Sequence, residues 1–449
     1  MRTAAGRYWH LAAALITLSV FSGCTLFADD PEPESEPAPV KTASPLDSVA
    51  EDFVRLALAL GVHDADYVDA YHGPQEWREK AESRYLSIGQ INNRAGSLMT
   101  KLAQVDATTL EADEGKRYVF LEGQLRALAA RAALVEGRNF SFDAEARTVY
   151  DVLPPVNGPE AFDAAIGKLD ELLPGEGRLS ERLDRFRSDF VIPPERLDTV
   201  FRLAIDECAR RTYEHIELPA GESFTLEYVT DKPWSGYNWY QGDSISLIQV
   251  NTDFPIHISR AVDLACHEGY PGHHVYNTLI EEHLVRRRGW VEFTLFPLFS
   301  PQGPIAEGSA NFGIGLAFPD DERMAFERDV LFPAAGLDSE RVAEYYAVEA
   351  LADELNYAHN EAARGIVNGT MSDDEAQQWL MTYGLMSEEK AGQRVAFIHK
   401  YRAYVVNYNL GKDLVAEYVD SRSDSPDNRW QVFEALLTEP TLPSALVVK

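Results

Sequence analysis

The segment SRAVDLACHEGYPGHHVYNTLIEEH, residues 259–283, decides how this sequence is interpreted. It opens with the apolar spacing typical of a helix and then places three histidines and a glutamate within eight residues, interrupted by proline and glycine: His267, Glu268, His273 and His274. Adjacent His and Glu begin the H-E-x-x-H pattern, in which the first histidine binds Zn²⁺ and the glutamate is the general base. We therefore predict a metal site in this segment.

The second histidine of that pattern is missing, because Pro271 occupies its position. On an unbroken helix His273 would lie about 120° away from His267, whereas His274 would lie on the same face but about 10 Å along the axis. Proline removes a helical hydrogen bond and Gly272 permits a turn. We expect the helix to break here, so that one of the paired histidines lies beside His267. We favour His273 as the ligand and keep His274 as the alternative, which could instead contact substrate or hold a ligand in place.

The motif HEGYPGHH, residues 267–274, resembles the HExxPGHH signature of a bacterial domain-of-unknown-function family. Members of that family are often lipoproteins and are grouped with the zincin-like metallopeptidases of gluzincin type. The resemblance implies that PIAEGSANFG, residues 304–313, supplies Glu307 as the third protein ligand. Asn311 stands one turn later, where gluzincins often have an acidic partner for a ligating imidazole, and an amide there could accept the same hydrogen bond.

The late segment HKYRAYVVNYNLGKDLV, residues 399–415, resembles the tyrosine-lysine-glycine region of the same family. The resemblance implies that Tyr408 stabilises the oxyanion and that Arg402 anchors a substrate carboxylate. Packing and surface roles are the alternatives for both side chains.

The N-terminus has the pattern of a secretory signal, with Arg2 and Arg7 before a short apolar run that ends at Cys24. The stretch VFSGC, residues 20–24, resembles a bacterial lipoprotein box, which implies removal of residues 1–23 and lipidation of Cys24. Residues 24–50, which include PEPESEP, are typical of an acidic, extended tether. Thr25 favours anchoring in the outer membrane, facing the periplasm, over the inner membrane.

The composition excludes nucleic-acid binding and a disulfide scaffold. Acidic residues outnumber basic ones 72 to 41 in 449 residues, which gives a formal net charge of -31 that repels phosphate backbones. Of the three cysteines, Cys208 and Cys266 remain in the mature chain, in contexts typical of buried helix positions. We predict no bridge between them.

The rest of the chain is mainly helical in pattern. Residues 51–216 form a predicted N-terminal helical region, and residues 217–449 form a predicted catalytic region with the small sheet, the HEGYPGHH helix, the Glu307 helix and C-terminal helices. The alternating runs SFTLEYV and SISLIQV predict a small antiparallel sheet. The stretch PWSGYNWYQGD between them is interpreted as an aromatic loop that lines a substrate cleft or caps the sheet. The predicted class is mainly α with a small antiparallel sheet, in a zincin-like metallopeptidase architecture.

These features predict a lipid-anchored zinc hydrolase of the cell envelope that acts on peptides. His267, His273 and Glu307 would bind Zn²⁺, the ion that His/Glu ligation favours, and Glu268 would be the general base. The expected partners are a peptide or small-molecule substrate and the membrane, reached through Cys24. Two alternatives stay open: a metal-dependent esterase or amidase, and a non-catalytic periplasmic binding lipoprotein with a relic metal site.

Overall fold

The folded part of the chain begins earlier than the sequence predicts. The computed structural model describes residues 44–232, 234–319 and 321–447, so the predicted signal, Cys24 and most of the tether lie outside the described residues. The first helix begins at Asp47, and Leu46, Val49 and Ala50 are wholly buried. The predicted tether limit at residue 50 is therefore corrected, because these apolar side chains pack into the core.

Helices dominate the N-terminal part, as the spacing of apolar residues predicts. Local signals fix several of their ends: Ser87 and Gln90 form a capping box at the start of the third helix, and the proline-led segment 159–175 contains the sixth. The helices are α1 (Asp47–Gly61), α2 (Gln75–Ser83), α3 (Ile88–Leu102), α4 (Ala112–Val135), α5 (Phe142–Val149), α6 (Asp163–Leu172), α7 (Leu179–Ser188) and α8 (Leu197–Tyr213).

Five short strands form two sheets. The strands are β1 (Val68–Tyr71), β2 (Ser223–Val229), β3 (Gly236–Gly242), β4 (Ile245–Asn251) and β5 (Leu295–Pro297). β1 pairs with β5 in an antiparallel sheet, and the other three have the order β2-β4-β3. The two strands predicted from their alternation, β2 and β4, are parallel to each other, so their predicted antiparallel pairing is wrong. The predicted aromatic loop instead supplies β3, the antiparallel partner of β4.

Helical structure returns after β4 and continues to the C-terminal end of the described chain. The helices are α9 (Ser259–Leu264), α10 (His273–Ile280), α11 (Gln302–Ala317), α12 (Asp321–Phe326), α13 (Phe332–Ala335), α14 (Val342–Asp353), α15 (Ala358–Asn368), α16 (Asp373–Tyr383), α17 (Glu388–Tyr401), α18 (Val406–Asp420) and α19 (Pro426–Leu437). The predicted class, mainly α with a small β-sheet, is confirmed. None of the helices in the described ranges has both the length and the apolar character that a membrane span requires.

The two predicted regions, 51–216 and 217–449, form one compact body. Buried side chains from α1, α3 and α4 share a hydrophobic core with residues of α15, α16 and α17. Arg117 of α4 forms a fully buried ion pair with Glu292, at 2.6 Å between Nε and Oε1. The predicted division at residue 216 therefore does not separate two cores.

A disulfide joins Cys208 of α8 to Cys266, with the two Cα atoms 5.6 Å apart. The prediction of two unbridged cysteines is wrong. Both side chains are wholly buried, as expected, but α8 packs against the segment that follows α9 and brings the two sulfurs together. The periodicity of each helix alone gives no information on this contact.

Candidate metal centre

The HEGYPGHH segment forms two helices with a break between them. α9 continues into one π-helical turn, Ala265–Gly269, and Tyr270 then adopts an extended conformation. Gly272 precedes α10, and a Cβ atom at this position would lie 1.9 Å from the carbonyl oxygen of His267. Only glycine fits such a close approach of two backbone segments. The predicted break at Pro271-Gly272 is therefore present.

The break brings His273 back beside His267. Their ring centroids are 4.6 Å apart and the rings are nearly perpendicular. With Glu268 they form a group whose potential ligand atoms all lie within 4.8 Å of one another. The structure thus places His273, the histidine that the sequence favours, in the candidate site. On an unbroken helix His273 would lie on a different face from His267.

Glu307 reaches the same point from α11. Its Oε2 atom lies 3.3 Å from Nε2 of His267 and 3.8 Å from Nε2 of His273. The other oxygen, Oε1, accepts a hydrogen bond of 2.9 Å from the hydroxyl of Tyr404. Tyr404 is a site residue that the sequence did not predict, because nothing in its local pattern distinguishes it from the neighbouring tyrosines.

These residues fit a bound metal ion. Oε2 of Glu307 is buried and accepts no hydrogen bond, although it faces the two imidazoles. Two imidazole nitrogens and a carboxylate oxygen that converge on one point are the donors that Zn²⁺ takes in catalytic sites. His267, His273 and Glu307 would hold the ion, and Tyr404 would orient the carboxylate.

The protonation equilibria reflect the density of charge in the site. The two imidazoles hold the pKa of Glu307 well below its ordinary value, although burial opposes this effect. Burial alone would lower the pKa of His273, but its contact with Glu307 and the charge of Glu268 raise that pKa to about 9. Burial raises the pKa of Glu268, which is 4% exposed, and the two imidazoles offset only part of that shift.

Strand β3 runs directly alongside Glu268. The amide of Asn238 donates a hydrogen bond of 2.7 Å to the backbone carbonyl of Glu268. A Cβ atom at Gly236 would lie 2.9 Å from Oε1 of the same residue. Glycine at the start of β3 therefore allows this edge strand to approach the carboxylate, which places the aromatic segment beside the candidate metal centre.

His274 belongs to a separate network. Its Nδ1 atom lies 2.9 Å from the hydroxyl of Ser246, and its Nε2 atom lies 2.6 Å from Oε2 of Glu222. Tyr270 donates a second hydrogen bond to the same oxygen. Because His274 is fully buried and engaged on both ring nitrogens, it connects α10 to the sheet and does not join the group around His267.

Asp69, on β1, is a further acidic group near the site that the sequence did not predict. The hydroxyl of Tyr237, on β3, donates a hydrogen bond to its carboxylate. Burial raises the pKa of Asp69 to about 7; the charge of His273 opposes the shift and that of Glu307 adds to it. Because β1 precedes the metal motif by about two hundred residues, only the tertiary fold reveals this proximity.

The remaining predicted residues lie in different places. Tyr408 is near the centre: the ring of Tyr404 lies 5.7 Å away, and burial and the charge of Glu307 raise the pKa of Tyr408 well above its ordinary value. Asn311 donates a hydrogen bond of 3.3 Å to the backbone carbonyl of Tyr408, so its amide nitrogen connects α11 to α18.

Arg402 forms an ion pair that neutralises its charge. Its Nε atom lies 2.7 Å from Oε2 of Glu145, whose side chain is almost wholly buried. Its Nη2 atom also donates to the carbonyl of Phe140. The structure therefore gives Arg402 a partner in α5, and it does not bring this side chain to the candidate metal centre as a substrate anchor.

Comparisons with known proteins give a shared fold and no established activity. No protein-family model and no curated protein matches the sequence. Among solved structures, a predicted lipoprotein from Colwellia psychrerythraea is 12% identical, with a TM-score of 0.51 over 90% of this chain and 74% of that chain. This likeness shows a common fold.

Two further solved structures have lower scores. A predicted lipoprotein of unknown function from Shewanella oneidensis is 11% identical, with a TM-score of 0.42 over 87% of this chain and 82% of its own. An M32 carboxypeptidase from Deinococcus radiodurans R1 is 13% identical, with a TM-score of 0.40 over 87% of this chain and 89% of its own.

Proposed function

We propose that this protein is a zinc-dependent hydrolase of zincin-like architecture that cleaves peptide bonds. The observation that carries the proposal is the convergence of His267, His273 and the unsatisfied Oε2 atom of Glu307, with Glu268 beside them. Zn²⁺ bound there supplies a Lewis acid and a water molecule of lowered pKa.

The protein's own groups would move the protons. Glu268 is buried and its pKa is raised, so its basicity is closer to neutral pH than that of an exposed carboxylate. It would accept a proton from the attacking water and later pass it to the leaving amine. Tyr408 would donate a hydrogen bond to the oxyanion, and Tyr404 would keep Glu307 in place.

Strand β3 favours a peptide as the substrate. It is an edge strand of the order β2-β4-β3 and passes directly beside Glu268. An extended peptide can pair with the free backbone groups of an edge strand, which gives affinity without a requirement for one side chain. Small esters and amides lack such a backbone, so we propose cleavage of peptides and keep those substrates as a control.

The test compares wild type with Glu268→Gln in metal content and in cleavage of a random peptide pool. We expect about one zinc ion per chain in both proteins and a loss of activity of about 10²- to 10⁴-fold in the variant. Glu282→Gln is the matched control, because Glu282 pairs with Arg287 at 3.0 Å on an outer helical turn. Wild type without stoichiometric zinc, or Glu268→Gln with full activity, would refute the mechanism.

Substrate controls separate the related activities. Turnover of model esters or amides without peptide cleavage would favour the esterase or amidase function. Zinc binding without any turnover would favour a binding lipoprotein.

We also propose, from residues 20–24, that Cys24 is lipidated and anchors the protein in the cell envelope, at the outer membrane and facing the periplasm. In a bacterial host, Cys24→Ser should move the protein from the membrane fraction to the soluble fraction and abolish labelling by a fatty-acid analogue. Unchanged labelling would contradict the proposal.

A further inference from the structure

Asp69 is the extra residue of a β-bulge. Val68 pairs with Pro297 and Ala70 pairs with Phe296, so one residue of β1, Asp69, has no opposite residue in β5. A bulge of this kind redirects a side chain, and such bulges are frequent next to active sites. Here the redirected carboxylate lies within electrostatic range of His273, Glu268 and Glu307.

The carboxylate of Asp69 differs from its neighbours in having no cationic partner. Asp64 pairs with Arg131 at 2.6 Å, and Asp66 pairs with Lys400 at 3.1 Å. Asp69 forms no ion pair with lysine or arginine in the part of the chain that the structure describes, and it accepts a hydrogen bond from the neutral hydroxyl of Tyr237. The residue keeps some solvent exposure, although its carboxylate is deep enough for burial to raise its pKa.

The charges of the site leave Asp69 unbalanced even after a metal ion binds. A divalent ion between His267 and His273 would compensate the charges of Glu307 and Glu268. The third carboxylate would then be neutralised either by a proton or by a cationic ligand, because an isolated charge is costly in a partly desolvated site. Since the lysine and arginine residues around Asp69 are paired elsewhere, a cationic group of the substrate is the candidate for this position.

The geometry favours an ammonium group over a guanidinium group. Tyr237 already donates to Oδ1 of Asp69, so a guanidinium that forms two parallel hydrogen bonds with the carboxylate would have to share this oxygen with the tyrosine hydroxyl. An ammonium group is a compact charge that needs only one carboxylate oxygen. Tyr237 itself is held by Trp239, whose ring centroid is 4.5 Å away, and this contact fixes the hydroxyl that orients Asp69.

We propose that Asp69 binds a primary ammonium group of the substrate, with Tyr237 as its positioning residue, and that the enzyme therefore prefers peptides with a free amino terminus. This inference rests on the proposed peptidase function and names its substrate class. The other source of the same chemistry is a lysine side chain, which the experiment distinguishes.

The test uses three random peptide pools of equal length: free amino termini, N-acetylated termini without lysine, and N-acetylated termini with lysine in the first position. Products are quantified by mass spectrometry for the full-length protein loaded with zinc. We expect wild type to cleave the free-amino pool at least about tenfold faster than the N-acetylated pool without lysine, because a charge-assisted hydrogen bond is lost.

Asp69→Asn keeps the shape of the side chain and the contact with Tyr237 but removes the charge. It should remove the preference for free amino termini, mainly through KM, so the readout is the ratio of the two cleavage rates within each protein. Asp66→Asn, with the same charge change three residues away, is the control and should retain the wild-type preference. Tyr237→Phe should reduce the preference partly, because Asp69 loses its positioning contact.

The outcomes separate this inference from the proposed function. Equal cleavage of all pools by wild type would overturn the ammonium site and leave the peptidase function intact. A preference only for the lysine pool would assign the ammonium to a side chain and overturn the amino-terminal preference. No cleavage of any pool would overturn the peptidase function and this inference together. A loss of zinc in Asp69→Asn, or two ions in wild type, would show that Asp69 serves metal and not substrate.

Discussion

At the scale of single residues, the surroundings of His273 in the candidate centre favour the protonated imidazole when no metal ion is bound. The contact of His273 with Glu307 raises the pKa of this imidazole to about 9, so it is protonated at neutral pH in the absence of an ion. Zinc requires a neutral imidazole and must displace this proton. Metal binding and proton release are therefore coupled at one side chain.

We expect zinc binding to release about one proton per ion from the site at pH 7. The release should decrease, and the affinity should reach a plateau, as the pH rises through the folded pKa of about 9. Calorimetric titration of zinc in buffers of different ionisation enthalpy measures this number. Glu307→Gln removes both a ligand and a group that raises the pKa of His273, so it should bind zinc more weakly and release fewer protons per bound ion at pH 7. Zinc binding without proton release at pH 7 would contradict the assignment of His273.

At the scale of the element, the interrupted helix depends on Gly272. A side chain at this position would collide with the carbonyl of His267, so Gly272→Ala should destabilise the fold by about 3 kcal/mol or more and reduce zinc content. Urea unfolding and metal analysis measure both effects.

Gly315→Ala in α11 is the matched control, since an added Cβ has open space there. It should stabilise the protein by about 0.5–1 kcal/mol, because alanine suits a helix interior better. Equal effects of the two substitutions would show that the break tolerates a side chain.

Sequence patterns predict those elements whose signals are local. The helices follow from apolar spacing, and the break before α10 follows from Pro271-Gly272 together. The sequence of β3 predicts a loop, because its glycine and aromatic residues lack the alternation of β2 and β4; its strand structure depends on pairing with β4. Asp69 and Tyr404 have no local signal, since their roles arise only when β1 packs beside β3 and the segment before α18 brings Tyr404 to Glu307 of α11.

At the scale of the whole molecule, the N-terminal helices are part of the same body as the candidate centre. β1 carries Asp69 to the site, and Arg117 of α4 is bound to Glu292 in the segment before β5. The buried Arg117–Glu292 pair should therefore add to the shared hydrophobic core in holding the two parts of the chain together.

Arg117→Met should destabilise the protein by about 3–5 kcal/mol, because it leaves the carboxylate of Glu292 buried without a partner. The double variant Arg117→Met/Glu292→Met should recover a substantial part of this loss, since the fully buried carboxylate is removed with its partner; the two further partners of Arg117, Asp47 and Glu114, are partly exposed and lose their ion pair in both variants. Urea unfolding of the two variants gives the comparison. A double variant as unstable as the single one would mean that the cost arises from packing and not from the unpaired charge.

The bridge between Cys208 and Cys266 affects which side chains can bind the zinc ion. Cys266 directly precedes His267, and thiolates bind zinc more strongly than carboxylates do. In a chain that has not yet been oxidised, a sulfur next to the first histidine can capture the ion in a misligated state. Formation of the bridge withdraws both sulfurs from this competition, so we expect oxidation before metal uptake to reduce misligation of the ion.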